Sequence, residues 1–185
     1  MSRFIIWVSM AVMLAGCAST LPAKISVGND FNTTGVKTAS VRMDCSNVQL
    51  DDIDPAAVQD FCQMLHAAAK ASIRIKTGYA LAEGLSDMDI TIKLEQMYGG
   101  NSVARFMVGL GAGRSVLTTY VDIARGGKVI AEGRLVETST IPNIVGNAWT
   151  NEELIKQDIG IIAGKIADFV ANPRDFEPRP EQPRY

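Results

Sequence analysis

The chain has 185 residues, 47% of them hydrophobic and 21% charged, with a formal net charge of −2. That length suits one domain with a sizeable core, and so balanced a charge leaves no basic excess to displace counterions, which excludes nucleic acid as a partner. A single histidine, and three cysteines with no C-x-x-C pair, exclude a His-rich metal site, a zinc ribbon and a thioredoxin-type motif.

Arg3 precedes an apolar run from Phe4 to Met13. The run is too short to cross ~30 Å of hydrocarbon, which takes ~20 residues. Residues 1–16 therefore read as a signal peptide. Its end, Leu14-Ala15-Gly16-Cys17, resembles a bacterial lipobox. The resemblance implies cleavage before Cys17 and acylation of the new N-terminus by palmitate-type chains. Ala18 follows, not Asp, which in enteric-type sorting implies the outer membrane, with the protein facing the periplasm. Removing Arg3 leaves the remainder acidic, so the lipid and not a basic face would hold it to the membrane. Each buried CH₂ contributes ~0.8 kcal/mol, and several chains together anchor stably. Residues 17–34 are small and polar and read as a lipidated tether.

A globular domain is expected over 35–172. Residues 36–45 read as a strand with Val41, Met43 and Cys45 on one face. Asp54 and Pro55 suit the start of a helix running to Thr77 and stopping at Gly78, with the stripe Val58, Phe61, Cys62, Leu65, Ala69 and Ile73. Asp51, Asp52 and Asp54 suit that helix start electrostatically and lack the spacing of a calcium loop. Residues 88–95 alternate, with Met88, Ile90, Ile92 and Leu94 inward, as in a strand with one wet face. A hairpin follows over 115–124 and 129–138, its turn carrying Gly126 and Gly127. Thr150 and Glu153 form a capping box, and Trp149 with Leu154 a hydrophobic staple, for a second helix to Ala171 with Ile155, Ile159, Ile162, Ile166 and Val170 on one stripe. Residues 173–185, with four of the seven prolines, read as a disordered tail. The expected fold class is α+β: a small, mostly antiparallel sheet with two helices packed on one face.

With Cys17 committed to lipid, Cys45 and Cys62 remain in an oxidising compartment and are disulfide candidates; the alternative is two buried thiols acting as small hydrophobes. His66 sits beside the helix stripe with no partner residue in sequence, and reads as structural. No G-x-S-x-G context marks a nucleophile. The stretch Gly99–Ser115 carries Gly109, Gly111 and Gly113 in strict alternation ahead of a strand. A dinucleotide or phosphate loop opens a helix after a strand, so this is neither. An apolar run around Phe106, flanked by Arg105 and Arg114, makes Arg105, Phe106, Gly109, Gly111, Gly113 and Arg114 the partner-binding candidates, since glycines let another surface approach closely. The alternative is a glycine-kinked edge strand packed on its own core.

That glycine stretch, followed by Val116, Leu117, Tyr120, Val121 and Asp122 and then Gly-Gly-Lys-Val-Ile-Ala, resembles a family of proteobacterial lipoproteins known as a domain of unknown function. Arg105, Gly109, Gly111 and Gly113 match the family pattern, over roughly residues 36–170. The resemblance implies a location and an architecture, not a reaction. The Cys45/Cys62 pair and the proline-rich tail depart from it.

The function expected is non-enzymatic: a lipid-anchored periplasmic protein that binds a partner or serves envelope assembly, with no cofactor and no metal. Its partners would be the membrane, through the lipid, and an envelope protein. The alternatives are an accessory subunit of an envelope secretion or export complex and a carrier of a small apolar ligand.

Overall fold

The structure, a computed structural model, describes residues 24–51, 53–100, 114–138 and 150–176. Seven strands form one sheet: β1 (Ile25–Val27), β2 (Thr38–Asp44), β3 (Gln49–Asp51), β4 (Ala80–Leu81), β5 (Met88–Tyr98), β6 (Val116–Arg125) and β7 (Lys128–Thr138). Among the described residues the α-helices are α1 (Val58–Thr77) and α2 (Asn151–Ala171). Strand order is β1-β7-β6-β5-β2-β4, with β3 also paired to β5.

The α+β class holds, and the sheet is mixed. The long ladders β5–β6 and β6–β7 are antiparallel, as is β1–β7. The pairs β2–β5, β3–β5 and β2–β4 are parallel. Helix α1 returns the chain to the end where β2 began, so β5 runs beside β2 in the same direction.

Local chemistry sets the elements. Asp54 Oδ1 accepts from the Ala56 amide at 2.9 Å, and Pro55 opens a 3₁₀ turn, Pro55–Ala57, ahead of α1. The helix proper therefore starts at Val58, not at Pro55. Gly78, at φ 74°, ends it in a left-handed cap. Gly126 and Gly127 both have positive φ, as a two-residue hairpin turn of this kind requires. The Thr150–Glu153 capping box is formed in both directions; Trp149 lies outside the described residues.

One face of the sheet is covered by the two helices. Ile90, Ile92 and Leu94 of β5 and Leu117, Val121 and Ile123 of β6 are fully buried beneath Leu65, Ile73, Ile155, Ile162 and Phe169. The register shifts between Leu94 and Gln96, so one extra residue switches the alternation and Met97 points inward.

Two boundaries differ from the expected ones. The span 17–34 is not all tether: Ile25, Ser26 and Val27 pair with Gly133, Glu132 and Ala131, and the Gly28 amide donates to Ile130 O at 2.9 Å. Backbone donors of β7 are satisfied by adding this strand. The span 173–185 is not all disordered tail: Pro173–Phe176 form a 3₁₀ turn, and the Phe176 ring meets Phe169 edge-on at 5.6 Å. The aromatic contact holds the turn to the core.

A Cβ on Gly133 would lie 2.7 Å from Phe169 Cζ and 2.8 Å from Ile25 Cδ1. Because Phe169 is fully buried, its ring has nowhere to go. Gly133→Ala is expected to cost about 1–3 kcal/mol by overpacking, read as a lower urea midpoint, and Phe169→Leu in the same chain should recover part of that loss.

Candidate functional site

One end of the sheet gathers the segments that sequence singled out. Strand β5 ends there at Tyr98, β6 begins there at Val116, and β7 ends opposite Val116 at Thr138. The stretch 101–113 thus starts and finishes at this end, and 139–149 joins it to α2. Strand β1 runs antiparallel to β7 from Ile25, opposite Gly133, to Val27, opposite Ala131. The Arg134 amide donates to Lys24 O at 3.0 Å, so β1 starts opposite the middle of β7 and runs away from the end where β7 finishes. Of the partner-binding candidates, Arg114 is described and exposed, immediately before buried Ser115. Arg105, Phe106, Gly109, Gly111 and Gly113 lie outside the described residues, as does Cys17.

Between α2 and the sheet lies a buried polar group that the sequence reading did not pick out. Asp158 is fully buried, and Ser115 Oγ donates to its Oδ2 at 2.5 Å. Glu137 of β7, 3% exposed, meets Lys165 Nζ at 2.6 Å, and that ammonium also donates to Val136 O at 3.0 Å. Asp158 Oδ1 and Thr119 Oγ1 have no hydrogen-bond partner among the described residues. Burial pushes the Asp158 carboxyl up to about 6; the Ser115 hydroxyl and Lys165 oppose the shift, and Glu137 adds to it. Two carboxylates facing one ammonium in a low dielectric favour keeping one proton. The signal was present in sequence: Asp158 sits inside the apolar stripe, between Ile155 and Ile162.

A disulfide joins Cys45 and Cys62, with Cα atoms 6.6 Å apart, and ties the end of β2 to α1. His66 Nε2 donates to Val41 O at 2.9 Å, so the one histidine is spent on backbone. The face of the sheet away from the helices is polar. Tyr120 Oη donates to Glu132 Oε2 at 2.5 Å, and Arg134 Nε pairs with Glu95 Oε2 at 2.7 Å. Burial and then Glu132 raise the Asp122 carboxyl above its usual range. Burial raises the Tyr120 phenol, and so does its bond to Glu132. Among the described residues no group of three or more His, Cys, Asp or Glu side chains is placed to hold a metal ion. Nor is any described helix long and apolar enough to cross a membrane.

Solved structures share this arrangement of sheet and helices. A Xanthomonas campestris protein of the domain-of-unknown-function family DUF330 superposes with TM-score 0.50 at 8% identity, over 84% of this chain and 95% of that one. The PelC dodecamer protein of Paraburkholderia phytofirmans gives TM-score 0.45 at 14% identity, over 75% and 96%. A minor lipoprotein of Acinetobacter baumannii gives 0.38 at 15%, over 75% and 93%. At 8% identity the likeness to the Xanthomonas campestris protein is one of fold alone. No protein-family model and no curated protein matches the sequence.

Two expectations follow from this geometry. The Asp158 pKa is raised on folding, so the folded state binds its proton more tightly than the unfolded chain. Stability should be greatest below about pH 4 for this group and fall as pH rises through about 6, by on the order of 2–3 kcal/mol. Asp158→Asn should flatten that part of the profile, as read from urea unfolding between pH 4 and 8. Removing the disulfide with Cys45→Ala and Cys62→Ala should cost about 3 kcal/mol, the value for a loop of about this length, while circular dichroism keeps the helix signal.

Proposed function

We propose that this chain is an envelope lipoprotein, anchored through acyl chains on Cys17 to the inner leaflet of the outer membrane and facing the periplasm. Its role is to bind a partner for envelope assembly, and it does so without catalysis. The observation that carries this reading is directional. Strand β1 starts at Ile25 opposite Gly133 and runs away from the end of the sheet at which residues 101–113 are rooted, between Tyr98 and Val116. In this reading an anchor that precedes such a strand brings the end of the sheet carrying the apolar, glycine-rich segment toward the membrane and its partners. The lipobox-like Leu14-Ala15-Gly16-Cys17 supplies the anchor, and Ala18 supplies the sorting.

Several polar side chains of the described residues are paired with one another: Ser115 with Asp158, Lys165 with Glu137, Tyr120 with Glu132. This supports binding over chemistry. Arg105, Phe106, Gly109, Gly111, Gly113 and Arg114 form the partner-facing surface in this reading.

The test is a photo-reactive side chain at position 106, irradiated in native envelopes, in the parent chain and in Cys17→Ser. Expected is one discrete protein adduct in the outer-membrane fraction, lost together with acylation in Cys17→Ser. An adduct to lipid alone would replace partner binding with lipid handling. An adduct that survives Cys17→Ser unchanged would remove the anchor from the mechanism.

A further inference from the structure

We propose that the outer edge of β2 accepts an extended, uncharged peptide segment of a partner protein, added as a further strand in the groove between β2 and α1. This site is separate from the 101–113 surface and does not depend on the lipid anchor.

The backbone defines the slot. On its outer side β2 is paired by β4 at Thr38 and Ala39 alone. The outward carbonyls of Lys37 and Ala39 accept from the Ala80 and Ala82 amides, each at 2.9 Å. The next outward carbonyl, Val41 O, accepts from the His66 ring at 2.9 Å, not from a strand. The two-residue period of a strand puts the N–H and C=O of Met43 on that same side. Among the described residues no strand lies outside Val41–Asp44. An added strand would continue the line of β4, and His66 holds one of its acceptors in the meantime.

The walls suit a polypeptide in extended form. Two hollows of about 600 and 510 Å³ flank this edge and share His66. Gln59, Gln63, His66 and Lys70 of α1, spaced four, three and four apart, form one wall. The Cys45–Cys62 disulfide lines the first hollow and fixes α1 against the end of β2, so the slot is built before anything occupies it.

Charge identifies the occupant. Each charged side chain around the slot is already engaged. Arg42 meets Asp89 at 3.6 Å, and Lys70 meets Glu83 at 4.0 Å. The Asp44 carboxylate accepts from the Ser46 amide at 2.9 Å and the Ser46 hydroxyl at 2.7 Å. Facing the slot are the side-chain amides of Gln59 and Gln63, the imidazole and peptide groups. With the two cations paired to acids, these uncharged groups suit a neutral strand, whose main chain supplies affinity and whose alternate side chains meet the α1 wall. An acidic segment would find both cations already paired and would face the Asp44 carboxylate, which only neutral donors meet.

The experiment uses the full mature chain in detergent and a capped hexapeptide of alternating threonine and valine. Expected are amide resonance shifts confined to Val41–Ser46 and to Gln59–Lys70. The Met43 amide should exchange roughly fivefold more slowly with peptide bound, the factor one backbone hydrogen bond of ordinary net strength gives. The same peptide N-methylated at alternate residues should not bind. Gln63→Trp, at an exposed position of α1, should fill the slot and abolish the shifts while the fold is kept. No shifts under excess peptide would overturn the proposal. So would equal binding of the N-methylated peptide, or binding that survives Gln63→Trp. A hexapeptide of alternating lysine and glutamate that bound equally well would overturn the neutral-segment assignment.

Discussion

The Phe169 ring resting on the bare backbone of Gly133 is the contact on which the layering depends. Phe169 is fully buried, and a Cβ at 133 would overlap two atoms of its ring. The absence of a side chain on β7 lets α2 sit close to the sheet at that point. The same ring is met edge-on by Phe176, and the Ile25 side chain of β1 crowds the same space over Gly133. One aromatic residue thus joins α2, β7, the first strand and the C-terminal turn. Both ends of the described residues are held near Phe169, whose aromatic side chain brings a large buried surface.

That close approach has a cost nearer the start of α2. Asp158 and Glu137 are held under the helix with Lys165 as their cation and Ser115 as a donor. An apolar pair of similar volume would commonly serve stability as well or better. What the polar group supplies is position. Ser115 stands between exposed Arg114 and the first residue of β6, so its bond to Asp158 fixes where the chain comes back into the sheet from 101–113. The carboxyl titrating at about 6 is therefore attached to the root of the segment proposed to meet a partner.

How far the sequence discloses this depends on whether the determinant is local. The α1 stripe from Phe61 to Ile73, the alternation from Met88 to Leu94, the Gly126-Gly127 turn and the Thr150–Glu153 box are each set within a few residues of themselves, and all occupy the expected places. Strands β1, β3 and β4 have three, three and two residues, too few for a periodicity to register. They exist because a neighbour's backbone needed partners. The parallel pairing of β2 with β5 was legible in the order strand, helix, strand, although alternation alone suggested a largely antiparallel sheet. Asp158 was visible as a charge inside an apolar stripe, yet its partners Ser115 and Glu137 are 43 and 21 positions away in the chain. Only the fold brings them together.

The two edges of the sheet are finished in different ways, and this difference assigns them different work. At one edge β1 supplies a strand from the chain's own N-terminal segment, so the unpaired groups of β7 are covered there. At the other, β4 covers two residues of β2, and a side chain takes over from there. An open edge is a hazard that proteins usually cover, charge or shorten. Here His66 occupies one acceptor while a disulfide holds the adjoining helix at a set distance. A side-chain hydrogen bond is exchangeable for a backbone one at little net cost, whereas the β1 ladder is not, because releasing it would also unseat Ile25 from the Phe169 contact. The β7 edge is closed by structure that cannot be spared, and beyond β4 the β2 edge is closed by a side-chain bond that can.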